Sequence, residues 1–311
     1  MPETVSRQGP AAPSVARRGK TLRSALTNAG LLSGPVGWVV LFFLIPVALI
    51  AAYSVGALVL LRSDQMMSLD SWRYFLGNAS LLGPPLGDGL FWKSLKLALG
   101  VSVTCVVLAY PVAYLLALVA GRRKYTLLLL IITPFLISYL LRVLAWRVLL
   151  NPSGVIQEAL RELGLLGATD AVSWLFNSTF AVYLVLAYAW VPFVALPIFV
   201  SLDGIDRQML EASSDLGASR WQTFRKVTLP MSMPGVVAGF VFVLIPTIGE
   251  YVTPQLVGGK GGYMFGNVIQ SSFSQSLDWQ LGAAMSVFLL VAVVLLLLVF
   301  GRYLRVGAVG R

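Results

Sequence analysis

The chain contains no histidine and one cysteine, and only 12% of its 311 residues are charged. Without histidine there is no imidazole for zinc binding or for an acid–base relay. The single thiol, Cys105, lies inside an apolar run and builds neither a disulfide framework nor a metal cluster. Soluble domains carry roughly a quarter charged residues. The scarcity of charge here, with 58% hydrophobic residues and a mean hydropathy of +0.83, excludes a soluble globular domain and points to an integral membrane protein. A nucleotide-binding loop is missing as well. Gly258-Gly259-Lys260-Gly261-Gly262 has some likeness to a phosphate loop, but Pro254 and Gly261 occupy the positions that decide a GxxxxGK-Ser/Thr motif. It is expected to be a flexible outer turn. No nucleophile with a base beside it can be picked out, so the chain reads as no enzyme and as having no catalytic residue. The net charge of +10 would suggest nucleic acid in a soluble protein. In a membrane protein its distribution along the chain matters more, and no nucleic-acid partner is implied.

Long apolar runs take the place of what is absent. Residues 1–33 are rich in Pro, Ser, Ala and Arg and form an expected disordered basic tail. Residues 34–62 contain a run far longer than the 7–15 residues of a signal-peptide core, which makes it an uncleaved first span. Further spans are expected near 97–120, 125–150, 179–201, 235–256 and 281–301, each long enough for a ~30 Å hydrocarbon core. The fold class is therefore all-α, with six transmembrane helices. Lys and Arg concentrate in the N-terminal tail, at Arg122–Lys124, in 203–234 and in a basic tail at 302–311. The alternate loops carry Arg62, Arg73, Lys93, Lys96, Arg161 and Lys260. Positive charge is retained on the cytoplasmic side, so both termini are expected there, in the cell (inner) membrane. The outer loops 62–96, 151–178 and 257–280 carry Asp64, Asp70, Asp88, Glu158, Glu162, Asp170 and Asp278. These acids offer a docking surface to a soluble partner, although scattered acids more commonly just solvate a surface.

The stretch from Asp203 to Pro234 is too long for a simple turn. Asp206 is placed to cap a helix carrying Met209, Leu210, Ser213 and Leu216 on one face, which Gly217 ends in a left-handed turn. Ser219 then caps a second helix carrying Trp221, Phe224 and Val227, closed by Pro230. An amphipathic hairpin resting on the membrane surface is the plainer interpretation. The spacing of Glu211, Ala212, Gly217, Val227, Leu229 and Pro230, however, resembles the EAA loop of ABC-importer permeases, with Ser213 where that pattern has a second alanine. The resemblance continues through PFLISYLLRVLAWRVLLNPSGVI at 134–156, IGEYVTPQLVGG at 248–259 and FGNVIQSSF at 265–273, which look like the spermidine/putrescine branch.

That resemblance covers roughly residues 90–301, the expected permease domain, and implies the type I ABC-importer permease fold. It also implies that 203–234 is the cytoplasmic coupling loop, docking into a separate ATPase through those residues. The partners implied are a second permease subunit, two ATPase subunits that bind ATP and Mg, an extracytoplasmic solute-binding protein and membrane lipid. Polyamines are the substrates implied, with iron, thiamine, sulfate or opine as alternatives because related permeases share this texture. An ion-coupled secondary carrier is the alternative of another class, and a membrane scaffold a third.

Charges within the spans are the candidate pathway residues. Glu250 follows Pro246 and Gly249, where an interrupted helix is expected, and a bilayer-buried acid costs roughly 2.5–3.5 kcal/mol unless paired or facing water. Arg142 and Glu250 each fall about 16 residues, or ~24 Å, from the cytoplasmic edge of their spans, so an ion pair is one expectation and a cation pathway the other. Tyr139, Tyr183, Tyr188, Trp146, Trp190 and Tyr251 offer aromatic faces to an amine or form an interfacial belt. Arg147 is expected to snorkel outward. Pro111, Pro134, Pro192, Pro197 and Pro246 predict kinks.

Overall fold

The computed structural model describes residues 33–57, 68–165, 167, 172 and 174–306, with side chains as far as Gly301. Most of the N-terminal tail, Arg62, Asp64, Asp170 and the end of the C-terminal tail lie outside the described residues. Every regular element among the described residues is helical. Helix α1 (Ser33–Ser54) is apolar throughout, and none of its most hydrophobic window is buried. The chain divides at Ala52, so this helix is described by itself.

Beyond it, a short helix α2 (Asp70–Gly77) leads to the long α3 (Leu90–Val119), α7 (Thr179–Asp203), α9 (Arg220–Ile248) and α11 (Trp279–Val306). Helices α3, α7 and α9 pack against one another as the centre of the bundle. On α3 the inward stripe is Ala98, Val101, Ser102, Cys105, Ala109 and Ala113, a helical repeat in which all are buried. Small residues let the backbones approach. At Gly235 of α9 a Cβ would stand 2.4 Å from the Pro197 carbonyl oxygen, and at Gly239 it would stand 2.9 Å from Val194. In lipid, where burial of apolar surface drives helix association weakly, such close backbone packing is what holds helices together. A second cluster joins α2, the start of α3, α10 (Phe265–Ser274) and α11 through Phe75, Phe91, Phe265 and Phe288.

Two expected spans take a different form. Residues 125–150 are no single rod: α4 (Gly121–Leu136) meets the segment Tyr139–Glu162, which opens with α5 (Tyr139–Leu150), at a 78° bend. Pro134 has no N–H for the carbonyl one turn back. The helix tightens to a 3-10 turn over Thr133–Leu136, and Ile137 and Ser138 are extended, with ψ 143° and 133°. The expected span 235–256 begins earlier and ends earlier. The second hairpin helix runs without interruption from Arg220 into the bundle, passing Pro230 and Pro234, and stops at Ile248. It does so by widening to a π-turn at Phe224–Thr228, where the Leu229 amide reaches back to the Phe224 carbonyl just before Pro230. Pro111, Pro192, Pro197 and Pro246 all lie inside continuous helices.

The ends of the bundle are distinct. At one, Lys124 and Asp203 form an ion pair that joins the start of α4 to the end of α7, with the Tyr125 hydroxyl 3.3 Å from the same carboxylate. At the other, α6 (Val155–Glu162) follows α5, and the Gly261 carbonyl accepts from Lys93 Nζ and from Thr179 Oγ1. The glycine-rich turn expected to be flexible is thus tied to two helices.

Candidate functional site

Two sites are assembled from the residues singled out in the sequence. The first is the hairpin. Asp206 accepts from the Gln208 amide at 3.0 Å and opens α8 (Arg207–Asp215). Gly217 has φ +79°, a conformation that side chains with a Cβ adopt at a cost, although the space around it is open. Ser219 opens the second arm with a reciprocal capping box to Gln222. Ser213 Oγ lies 2.9 Å from Thr223 Oγ1 and ties the arms together, a role for the serine that stands in place of alanine. The second arm is fastened to α3 by Phe224, whose ring contacts Tyr110, Tyr114 and Trp221, and by Tyr110 and Ser232, whose hydroxyls are 2.9 Å apart.

What this hairpin presents outward is partly apolar. Leu216 is 88% exposed and Trp221 67%. Met209 is exposed too, so of the expected inward face only Leu210 and Ser213 are half-buried. Glu211, Ala212, Gly217 and Pro230 are exposed, while Val227 and Leu229 are half-buried where the arm enters the bundle.

The second site lies at the bend between α4 and α5. The Arg142 guanidinium stacks over Phe135 at 4.8 Å and over Tyr139 at 5.8 Å from the ring centroids. Its Nε and Nη1 are buried without a hydrogen-bond partner. Glu250 and Arg142 form no direct ion pair among the described residues. Helix α9 has ended, as an interrupted backbone required, and Glu250 Oε1 accepts from the Val252 and Thr253 amides at 2.9 and 3.1 Å. The carboxylate therefore holds Val252 and Thr253, the two residues that lead into the turn Pro254–Gly258. Tyr139 stands between the charges: its ring lies under Arg142, and its hydroxyl is 2.5 Å from Thr253 Oγ1, of the residue whose amide donates to Glu250.

Trp190 stands a step away, packed on Phe193 and Phe242, and Phe193 also meets Phe135. Its Nε1 is buried and unpaired. Trp146 and Tyr188 extend this aromatic tract, since Tyr188 contacts both Trp146 and Phe135. Tyr251 points elsewhere and lines a cleft of about 630 Å³ between α10 and α11. Tyr183 is occupied by bonds to Thr104 and to the Gly100 carbonyl. Arg147 is exposed. Sequence patterning missed Phe135, Phe193 and Phe242, which carry no polar atom to set them apart from lipid-facing phenylalanines. The one available signal was the position of Phe135 beside Pro134.

A helical bundle with long apolar spans, a broken helix at an inner charged site and an ordered surface hairpin defines a membrane transport subunit. The chain belongs to the binding-protein-dependent transport system inner membrane component family, whose model matches residues 109–306, and is an ABC-transporter permease. The spermidine/putrescine transport system permease protein PotB of Escherichia coli (strain K12) is 35% identical over 270 residues, covering 87% of this chain and 95% of that protein. PotB of Haemophilus influenzae (strain ATCC 51907 / DSM 11121 / KW20 / Rd) is 32% identical, covering 85% and 90%. The inner membrane ABC transporter permease protein YdcU of E. coli K12 is 34% identical over 242 residues, covering 75% and 76%. Among solved structures, a bacterial ABC transporter involved in import of the acidic polysaccharide alginate aligns with TM-score 0.67 over 93% of this chain and 98% of that one, at 16% identity. The MetNI methionine ABC transporter in an inward-facing conformation aligns with TM-score 0.52 over 70% and 94%, at 20% identity. These two structures establish the fold.

Proposed function

We propose that this chain is the permease subunit of a polyamine importer, driven through the hairpin by an ATPase carried on another polypeptide. Support for polyamines comes from the relatives named as spermidine/putrescine permeases, at 35% identity over 87% of the chain. The inner site suits that chemistry, because aromatic faces beside a carboxylate attract ammonium groups, by ~2 kcal/mol per ring face when desolvated.

The coupling role rests on one observation: Leu216, Trp221 and Glu211 are all exposed on one hairpin, whose second arm is the start of α9. A partner that grips the hairpin moves a bundle helix directly. ATP and Mg are held by that partner. A second permease completes the path around the inner site, and an extracytoplasmic binding protein delivers the substrate. Both termini are cytoplasmic in this account. Lys124 and Asp203 bring the Arg122–Lys124 cluster to the hairpin end, in keeping with the concentration of positive charge there.

Co-purification in mild detergent tests the assembly: an ATPase should travel with the chain, and the complex should take up labelled spermidine when its binding protein is supplied. Cysteines replacing Arg123 or Ser219 should react with an impermeant thiol reagent only after the cytoplasmic side is opened. Those replacing Asp88 or Leu165 should react from outside. Labelling at 219 in intact cells would reverse the topology.

A further inference from the structure

Arg142 occupies a place where a substrate cation would be at home. Its guanidinium lies over Phe135, which comes from α4, and over Tyr139, which comes from α5. The seat therefore spans the 78° bend between those helices. Beside it, the Tyr139 hydroxyl bonds the Thr253 hydroxyl, and the Thr253 amide donates to the Glu250 carboxylate. Arg142 has no carboxylate partner among the described residues, and its Nε and Nη1 are buried without hydrogen bonds. A cation held in a membrane protein by rings alone is weakly bound compared with one in a bidentate carboxylate pair.

We propose that Arg142 is a tethered stand-in for the transported ammonium: it fills the Phe135–Tyr139 seat beside Glu250 when no substrate is present and must be displaced for a polyamine to pass. A guanidinium and a primary ammonium carry the same charge and are drawn to the same ring faces. They cannot share the seat, because like charges a few ångströms apart in a poorly solvated site repel strongly. The missing hydrogen bonds on Arg142 make its departure easier, since no ion pair has to be broken. Its long stem allows the charge to move toward water while the helix stays in place. With the substrate gone, return of Arg142 neutralises the site and closes it to inorganic cations. Because the rings of the seat come from both sides of the bend, straightening or bending there alters the seat directly.

This inference rests on the cationic substrate proposed above. The experiment therefore has two arms, both using the complex purified with its permease partner and ATPase subunits. In the first, the wild-type complex in proteoliposomes is assayed for uptake of labelled spermidine with its binding protein present. In the second, equilibrium dialysis measures labelled spermidine held by the complex without binding protein. Arg142→Gln should hold spermidine at least about tenfold more tightly than wild type, Arg142→Lys should resemble wild type, and adding Glu250→Gln to Arg142→Gln should abolish the gain. Should Arg142→Gln not assemble, Arg142→Met, an apolar replacement of similar length, supplies the same comparison. No uptake in the first arm overturns the polyamine assignment and the stand-in together. Uptake by wild type, with binding unchanged or weakened in assembled Arg142→Gln and Arg142→Met complexes, overturns the stand-in alone.

Discussion

In the hairpin, Asp206 bonds two positions onward and Ser219 three, whereas the contact between Tyr139 and Thr253 at the inner site joins residues 114 apart. The hairpin is thus specified by caps and a glycine within a few residues of each other. Its caps and turn are made locally, and only its second arm leans on the bundle, through Phe224 against Tyr110 and Tyr114. The inner site exists only where three segments meet, the broken α4–α5 pair, the turn after α9 and the aromatic side of α7. A modest shift of any one of them changes it. A lever needs the first kind of construction, and a site that opens and closes needs the second.

The comparison breaks most severely at Gly217. Gly217→Leu forces a branched residue to φ +79°, a cost of roughly 1–2 kcal/mol that the chain avoids by re-aiming the first arm. Uptake should fall below about one-tenth of wild type with the protein still inserted. Gly217→Asn, which tolerates positive φ better, should retain most activity. Wild-type uptake by Gly217→Leu complexes would remove the hairpin from the coupling role.

At the inner site, Glu250→Gln should reduce uptake about tenfold, because an amide does not replace the attraction of a carboxylate for an ammonium in a poorly solvated path. Adding Arg142→Gln should leave uptake as low as in Glu250→Gln alone. Recovery of wild-type uptake in that double variant would mean that the two charges serve only to balance each other. Tyr139→Phe removes the hydroxyl shared with Thr253, about 0.5–1.5 kcal/mol for one hydrogen bond, and should lower uptake by roughly threefold. The smallest effect is expected at the hairpin end, where Lys124→Ala breaks a partly exposed pair with Asp203 and should change uptake less than about twofold.

The same contrast explains what could be foreseen. Asp206, Gly217 and Ser219 act locally, so their roles as caps and turn were legible residue by residue. Helix continuity through Pro230 was not, because the π-turn that accommodates it depends on Phe224 packing against Tyr110 and Tyr114 of another helix. Arg142, Tyr139 and Glu250 were recognisable as costly residues in apolar runs, and they do gather in one place. An ion pair between Arg142 and Glu250 was one expectation because equal depth ignores direction. Depth counting assumes an unbroken rod, and the bend at Ile137–Ser138 puts the guanidinium on rings while amides of the following turn take up Glu250 Oε1. Phe135, Phe193 and Phe242 were invisible because a phenylalanine in an apolar run has no pattern to distinguish a seat from a lipid contact.

The division of labour between lever and site is tested most directly by measuring ATP hydrolysis and spermidine uptake together in proteoliposomes, with loaded binding protein, for Gly217→Leu and Glu250→Gln. Gly217→Leu should lose both uptake and the stimulation of hydrolysis by the binding protein, whereas Glu250→Gln should lose uptake while stimulated hydrolysis continues. Equal loss of both activities in Glu250→Gln, or stimulated uptake in Gly217→Leu, would contradict that division of labour.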